Sequence, residues 1–138
     1  MPAAQKAIEI SPDYAAAHVA LALAYLEQSL PQEALRAVQG EKDTAWRLIG
    51  FPLVYHALGQ KKNADAALAD LVAKLPKDAA YQIAEAYAFR GEADSAFHRL
   101  DRAFTQRDGG LTEIKGDPLL KNLERDPRST EFLTKMRL

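Results

Sequence analysis

The sequence predicts an all-α protein: about three helical hairpins in a row, closed by a short helical cap. Three observations predict it. Ala, Leu, Glu, Gln, Lys and Arg dominate while Val, Ile and Thr are sparse, a balance that favours helix over strand. Helix-breaking punctuation recurs along the chain at Ser11-Pro12-Asp13, Leu30-Pro31, Gly40 to Asp43, Gly59-Gln60, Leu75-Pro76-Lys77, Gly91-Glu92 and Asp108 to Gly110, leaving segments whose lengths suit antiparallel hairpins with brief connections. Finally, Tyr25, Tyr55 and Tyr87 are each followed nine residues later by an alanine, at Ala34, Ala64 and Ala96, and the tyrosines themselves lie 30 and then 32 residues apart.

These markers divide the chain in order. Residues 1–12 read as the end of a truncated preceding repeat, 13–42 as the first repeat, 43–76 as the second, 77–108 as the third, and 109–138 as capping helices. Around each tyrosine the same template recurs, as His18-x2-Leu21-Ala22-x2-Tyr25, Leu48-x2-Phe51-Pro52-x2-Tyr55 and Ala80-x2-Ile83-Ala84-x2-Tyr87. Four residues after each alanine comes an apolar residue, Val38, Leu68 or Leu100, one turn further along the same helix face. The alanine on the second helix lets the two axes approach, and the tyrosine of the first helix fills the space beside it. Pro52, with Gly50 nearby, predicts a kink near Leu48 to Pro52, because proline removes one helix bond and crowds the carbonyl four residues back. Past Phe104, Asp117-Pro118 and Asp126-Pro127 each offer an N-cap aspartate followed by proline at the first helical position. Two short helices are expected there, over about 118–124 and 128–136, with Leu119, Leu120, Leu123, Phe132, Leu133 and Met136 covering the last hairpin.

The recurring pattern resembles the tetratricopeptide repeat family, whose repeat of about 34 residues pairs a large-x2-leucine-small-x2-tyrosine helix with an alanine-x3-aromatic helix. The resemblance implies a right-handed α-solenoid. It also implies that Ala7 to Tyr14 is the closing half of an earlier repeat, so that the chain is expected to be the C-terminal part of a longer protein. The sequence departs from the family by a shortened first unit, by the lack of the family's tryptophan in the repeats and by Pro52 inside a helix. In the family the first helix of each hairpin lines a concave face, which places Val19, Leu23, Trp46, Ile49, Leu53, Tyr81 and Glu85 there, with His56 and Phe89 nearer its edge. Most are apolar or aromatic, as suits an amphipathic helix or extended peptide. No basic residue or asparagine occupies these positions, which argues against the family's carboxylate clamp. Residues 45–138, through Tyr81 to Phe97 and the Asp117-Pro-Leu-Leu and Asp126-Pro-Arg-Ser runs, resemble the C-terminal repeat module of bacterial multidomain proteins with an adenylate-cyclase-like or winged-helix domain.

Composition excludes several function classes. There are 18 Lys and Arg against 19 Asp and Glu, for a net charge of -1, so no broad field attracts nucleic acid. Lys61-Lys62 and the basic residues of the tail are interspersed with acids, which reads as a charge-paired surface. Without cysteine, disulfides, thiolate zinc sites and cysteine nucleophiles are impossible. The apolar stretch Ala15 to Leu26 falls short of the roughly 18 to 20 residues that cross a bilayer, and the N-terminal residues lack the apolar core of a secretory signal. Cytoplasmic residence without membrane contact is the expectation.

No constellation for chemistry emerges. His18, His56 and His98 fall on different helix faces and read as structural or surface residues. Ser11, Ser29 and Ser95 lie near helix boundaries and Ser129 beside a proposed cap, where serine caps or turns. The pairs Asp65 and Asp70, and Glu92 and Asp94, sit on or beside exposed helical starts, where acids favour the dipole. No phosphate-binding glycine motif is present, and Asp108-Gly109-Gly110 reads as a helix-ending turn. The expectation is therefore a protein that is not an enzyme, holds no cofactor or metal, and binds a protein or peptide partner. A homo-oligomerisation module, formed through the open N-terminal half-repeat around Ala4, Ala7 and Ile8, is the alternative. The single tryptophan, Trp46, is read either as an interface anchor or as packing against the neighbouring helix or the N-terminal half-repeat.

Overall fold

Helices and the turns between them account for residues 17–137, the span described by a computed structural model of the protein, and no strand occurs among them. The fold is all-α. Seven α-helices follow one another in this span: α1 (Ala17–Glu27), α2 (Pro31–Gln39), α3 (Thr44–Ala57), α4 (Lys61–Lys74), α5 (Ala80–Phe89), α6 (Ala93–Thr105) and α7 (Pro127–Lys135). Two 3-10 helices, η1 (Gly109–Gly116) and η2 (Pro118–Leu123), lie between α6 and α7. The proposed closing half of an earlier repeat, the Ser11-Pro12-Asp13 boundary and the apolar face of Ala4, Ala7 and Ile8 lie outside the described residues.

The tyrosine register is visible in the backbone. Each tyrosine carbonyl accepts a bond from the N–H five residues on: Leu30 to Tyr25 at 2.9 Å, Gln60 to Tyr55 at 3.0 Å and Glu92 to Tyr87 at 2.9 Å. This bond closes a helix when the residue before the donor turns left-handed. Ser29, Gly59 and Gly91 do so, with φ of 61°, 74° and 79°. The three hairpins thus share one turn, placed at one distance from one aromatic residue. Helix α6 ends the same way, with Arg107 at φ 56° and Asp108 N–H donating to Ala103.

The chain divides into two units, Met1–Ala73 and Lys74–Leu138. In the first, α1, α2 and α3 pack on one another around Ala22, Ala34, Ala37, Val38 and Val54, with Tyr25 and Phe51 against that cluster. Small residues at the centre bring the helices close. A Cβ on Gly50 would lie 2.8 Å from Val38 Cγ2 and 3.5 Å from Val19 Cγ2, so Gly50 is a point of close approach to α1 and α2. Helix α3 runs unbroken through the buried Pro52. Its start is capped by Asp43, whose Oδ1 accepts from Trp46 N–H at 3.1 Å. Along α4 the buried residues Ala64, Leu68 and Leu71 recur at helical spacing.

In the second unit α5 and α6 pack through alanines, Ala80, Ala84 and Ala88 on one helix and Ala96 and Ala103 on the other. Ala34, Ala64 and Ala96 are all essentially inaccessible, as are Val38, Leu68 and Leu100. The tail then covers the hairpin. Leu111, Leu120, Leu123 and Phe132 join the α5–α6 core, and three aspartates start the three tail elements. Asp108 Oδ1 accepts from Gly110 N–H, Asp117 Oδ1 from Leu119 N–H and Asp126 Oδ1 from Arg128 N–H, all at 2.8–2.9 Å. One correction follows for the tail. Gly109 and Gly110 open η1 and do not end α6, because Arg107 already supplies the left-handed residue. The short helix expected after Asp117 is the 3-10 helix η2, while η1 has no apolar periodicity that would announce it.

Helix α7 is fixed to α6 by charge and aromatic contacts. Arg128 pairs with Asp94 and Asp126, each at 2.8 Å, and its guanidinium lies 4.7 Å from the Phe97 ring centre. Lys135 lies over Phe104 and 3.4 Å from Asp101, while Phe104 and Phe132 meet edge to face. These two tail cations are thus charge-paired.

Candidate interaction surfaces

The residues expected to line a partner groove divide by burial. Val19, Ile49, Leu53 and Tyr81 expose 2%, 8%, 3% and 1% of their surface. Buried this deeply, they offer a partner nothing to grasp, and that part of the expected groove is corrected to core. For Val19 the cause is Gly50, which lets α1 and α3 close over it. For Tyr81 it is the tail: the ring lies against Gly110, where a Cβ would come within 2.7 Å, and its O–H donates to Asp117 Oδ2 at 2.6 Å. Leu23, Trp46 and Glu85 are half-buried and His56 is exposed. Leu23, Trp46 and His56 belong to the first unit and Glu85 to the second. The tyrosines of the repeat register are half-buried; Tyr25 and Tyr87 pack against the clusters that hold Ala34 and Ala96, and Tyr55 stacks on Phe51 at 5.6 Å.

The first unit carries an open groove that the repeat register did not indicate. It is shallow and wide open to solvent, bordered by Phe51 and Tyr55 on α3 and by Asn63, Ala66, Ala69, Asp70 and Ala73 on α4. Arg47 covers the outer side of Phe51 at 5.6 Å. Ala66, Ala69 and Ala73 are exposed, so a helix could approach the α4 backbone closely there. Phe51 and Tyr55 lie on the side of α3 turned away from Ile49 and Leu53. The signal for this surface was an aromatic pair one turn apart facing a helix whose outer positions are alanine; the tyrosine register absorbed both features into the core.

The described residues contain no cluster of three or more His, Cys, Asp or Glu able to hold a metal ion. His18 is half-buried with its ring beside Gly40, and His56 and His98 are exposed. No helix among the described residues is long and apolar enough to cross a membrane.

Comparison with known proteins adds one match: a family profile described as Tetratricopeptide repeat covers residues 3–36. No curated protein and no solved structure matches the chain. The match runs across the proposed boundary before the first repeat, through α1 and into α2, and over that stretch the chain is similar to the tetratricopeptide repeat family, whose repeats generally mediate protein–protein interaction.

Proposed function

We propose that this chain is a non-catalytic interaction module that holds a helical segment of a partner protein. The observation that carries the reading is the shallow groove between α3 and α4, bordered by the aromatic rings of Phe51 and Tyr55 and by exposed alanines. Apolar walls give a partner helix area to bury, and small residues let its backbone come close. The likeness of residues 3–36 to a family of protein-binding repeats supports the same reading. The resemblance of residues 45–138 to a module of bacterial multidomain proteins supports a place in a cytoplasmic regulatory protein with other domains.

A second candidate surface is the accessible part of Trp46. One experiment separates the two. Helical peptides selected against the immobilised chain from a displayed library are titrated into the parent, Ala69→Glu and Trp46→Ala proteins. A charge at the exposed Ala69 is expected to abolish binding with the helical spectrum unchanged, while Trp46→Ala binds as the parent does. Binding lost with Trp46→Ala and kept with Ala69→Glu would move the function to the second surface. Retention by both variants would refute the interaction reading of either face.

A further inference from the structure

The core of the second unit is not fully filled. Between α6, the two 3-10 helices and α7 lies a cavity of about 130 Å³. Its walls are apolar and deep: Phe97, Leu100, Leu120, Leu123 and Phe132 each expose 8% of their surface or less. The mouth is polar, bordered by Lys115, Glu124 and Ser129. Asp117 also borders the space, but its two carboxylate oxygens already accept from Tyr81 O–H and Leu119 N–H. Protein interiors hold few voids larger than a water molecule. Water needs two to four polar partners, and here these lie at the mouth while the Leu and Phe walls of the inner end supply none; a wholly apolar cavity of about 150 Å³ stays dry and takes up benzene. The volume here is of that size.

We infer that this cavity is a binding site for a benzene-sized aromatic molecule carrying one uncharged polar substituent, a phenol in type. The ring would occupy the space between Phe97, Leu100, Leu123 and Phe132, where two aromatic walls favour an aromatic guest beyond the area it buries. The substituent would sit at the mouth, where the Lys115 ammonium donates, the Glu124 carboxylate accepts and the Ser129 hydroxyl does both. A charged guest is disfavoured, because its charge would lose hydration against five apolar side chains. None of these residues belongs to α3 or α4, so the site is independent of the partner groove.

The test titrates the full chain with phenol, benzene and cyclohexanol, following amide resonances and thermal unfolding. Phenol is expected to raise the melting temperature saturably and to shift resonances of residues 97–133, with benzene weaker and cyclohexanol weakest. Two variants narrow the space: Leu133→Trp at its half-buried edge and Leu123→Phe in its wall. Whichever of them folds should weaken phenol binding at least about tenfold. No saturable shift with any of the three probes, or an unchanged affinity in a folded filled variant, would overturn the proposal; benzene binding tighter than phenol would overturn the role of the polar mouth. Peptides held by the α3–α4 groove should bind equally with and without phenol, so failure of one site is not failure of the other.

Discussion

The phenolic O–H of Tyr81, in the first turn of α5, donates to Oδ2 of Asp117 at 2.6 Å across 36 positions of sequence. Its backbone N–H donates to Asp108 Oδ2 at 3.3 Å, and its ring lies on Gly110. One residue thereby joins the start of α5 to the starts of both 3-10 helices. Tyr81→Phe keeps the ring and removes only the donor to a carboxylate, so it should destabilise the protein by roughly 1.5–3 kcal/mol. Tyr81→Ala also removes the buried ring and should cost roughly 3–5 kcal/mol. Urea unfolding reads both as a lower midpoint at constant slope; an unmoved midpoint for Tyr81→Phe would mean the bond contributes nothing.

The shared hairpin turn makes opposite predictions at equivalent positions. At Gly59 and Gly91 no atom lies within 4 Å of an added Cβ, so alanine there would meet only the backbone cost of a left-handed residue, about 1–2 kcal/mol. Ser29 already bears that cost at φ 61°. Ser29→Gly should therefore stabilise the first hairpin by about 0.5–1 kcal/mol, part of the relief being returned by the more flexible unfolded chain. Melting temperatures of the three variants should fall, fall and rise. A fall for Ser29→Gly would show that the serine side chain contributes more than its backbone strain costs.

What was legible and what was not follows from sequence distance. The hairpins were legible because tyrosine, turn and alanine lie within one repeat, and local packing places them. Tyr81 was not, since its helix register pointed to a groove while the groups that bury it, Gly110 and Asp117, arrive later in the chain. The left-handed end of α6 was hidden for another reason. Arginine rarely adopts that conformation, so the adjacent glycines drew the turn assignment and Arg107 took the role. Val19 was assigned to an open face by the same register, without the close approach that Gly50 permits. Asp117 and Asp126 were readable as caps because aspartate-proline is a local signal, whereas the ion pair of Arg128 with Asp94 depends on how α7 docks.

Gly50 tests the packing of the first unit. Alanine is the better helix former by up to about 1 kcal/mol, yet its Cβ would meet both methyls of Val38, at 2.8 and 3.1 Å. Overpacking of this kind costs roughly 1–3 kcal/mol, so Gly50→Ala should lower stability despite its helix propensity. Adding Val38→Ala removes the opposing methyls. The pair should then be more stable than the two separate losses predict, as a double-mutant cycle would register. Strict additivity would place the two residues out of contact.

The last prediction concerns acid. The side chain of Arg128 donates to Asp126 Oδ1 from Nε at 3.1 Å and to Oδ2 from Nη2 at 2.8 Å, and its backbone N–H caps on the same carboxylate. The guanidinium bonds, and after them the backbone bond, hold the Asp126 carboxyl below its ordinary value of 3.8; in return Arg128 is held more firmly protonated by Asp126 and Asp94. A carboxyl lowered in the folded state favours folding wherever it is ionised, so its contribution is complete above 3.8 and is lost as pH falls through the lower folded-state value. Asp126→Asn keeps an oxygen for the cap and removes the charge. It should melt below the parent near neutral pH, and the gap should narrow in acid as pH falls through the lowered folded-state value and the aspartate itself becomes neutral. Added salt should narrow the gap at neutral pH, because the pair is partly exposed. A gap that stays constant from neutral to acid pH would assign the effect to the cap geometry and remove charge from the docking of α7.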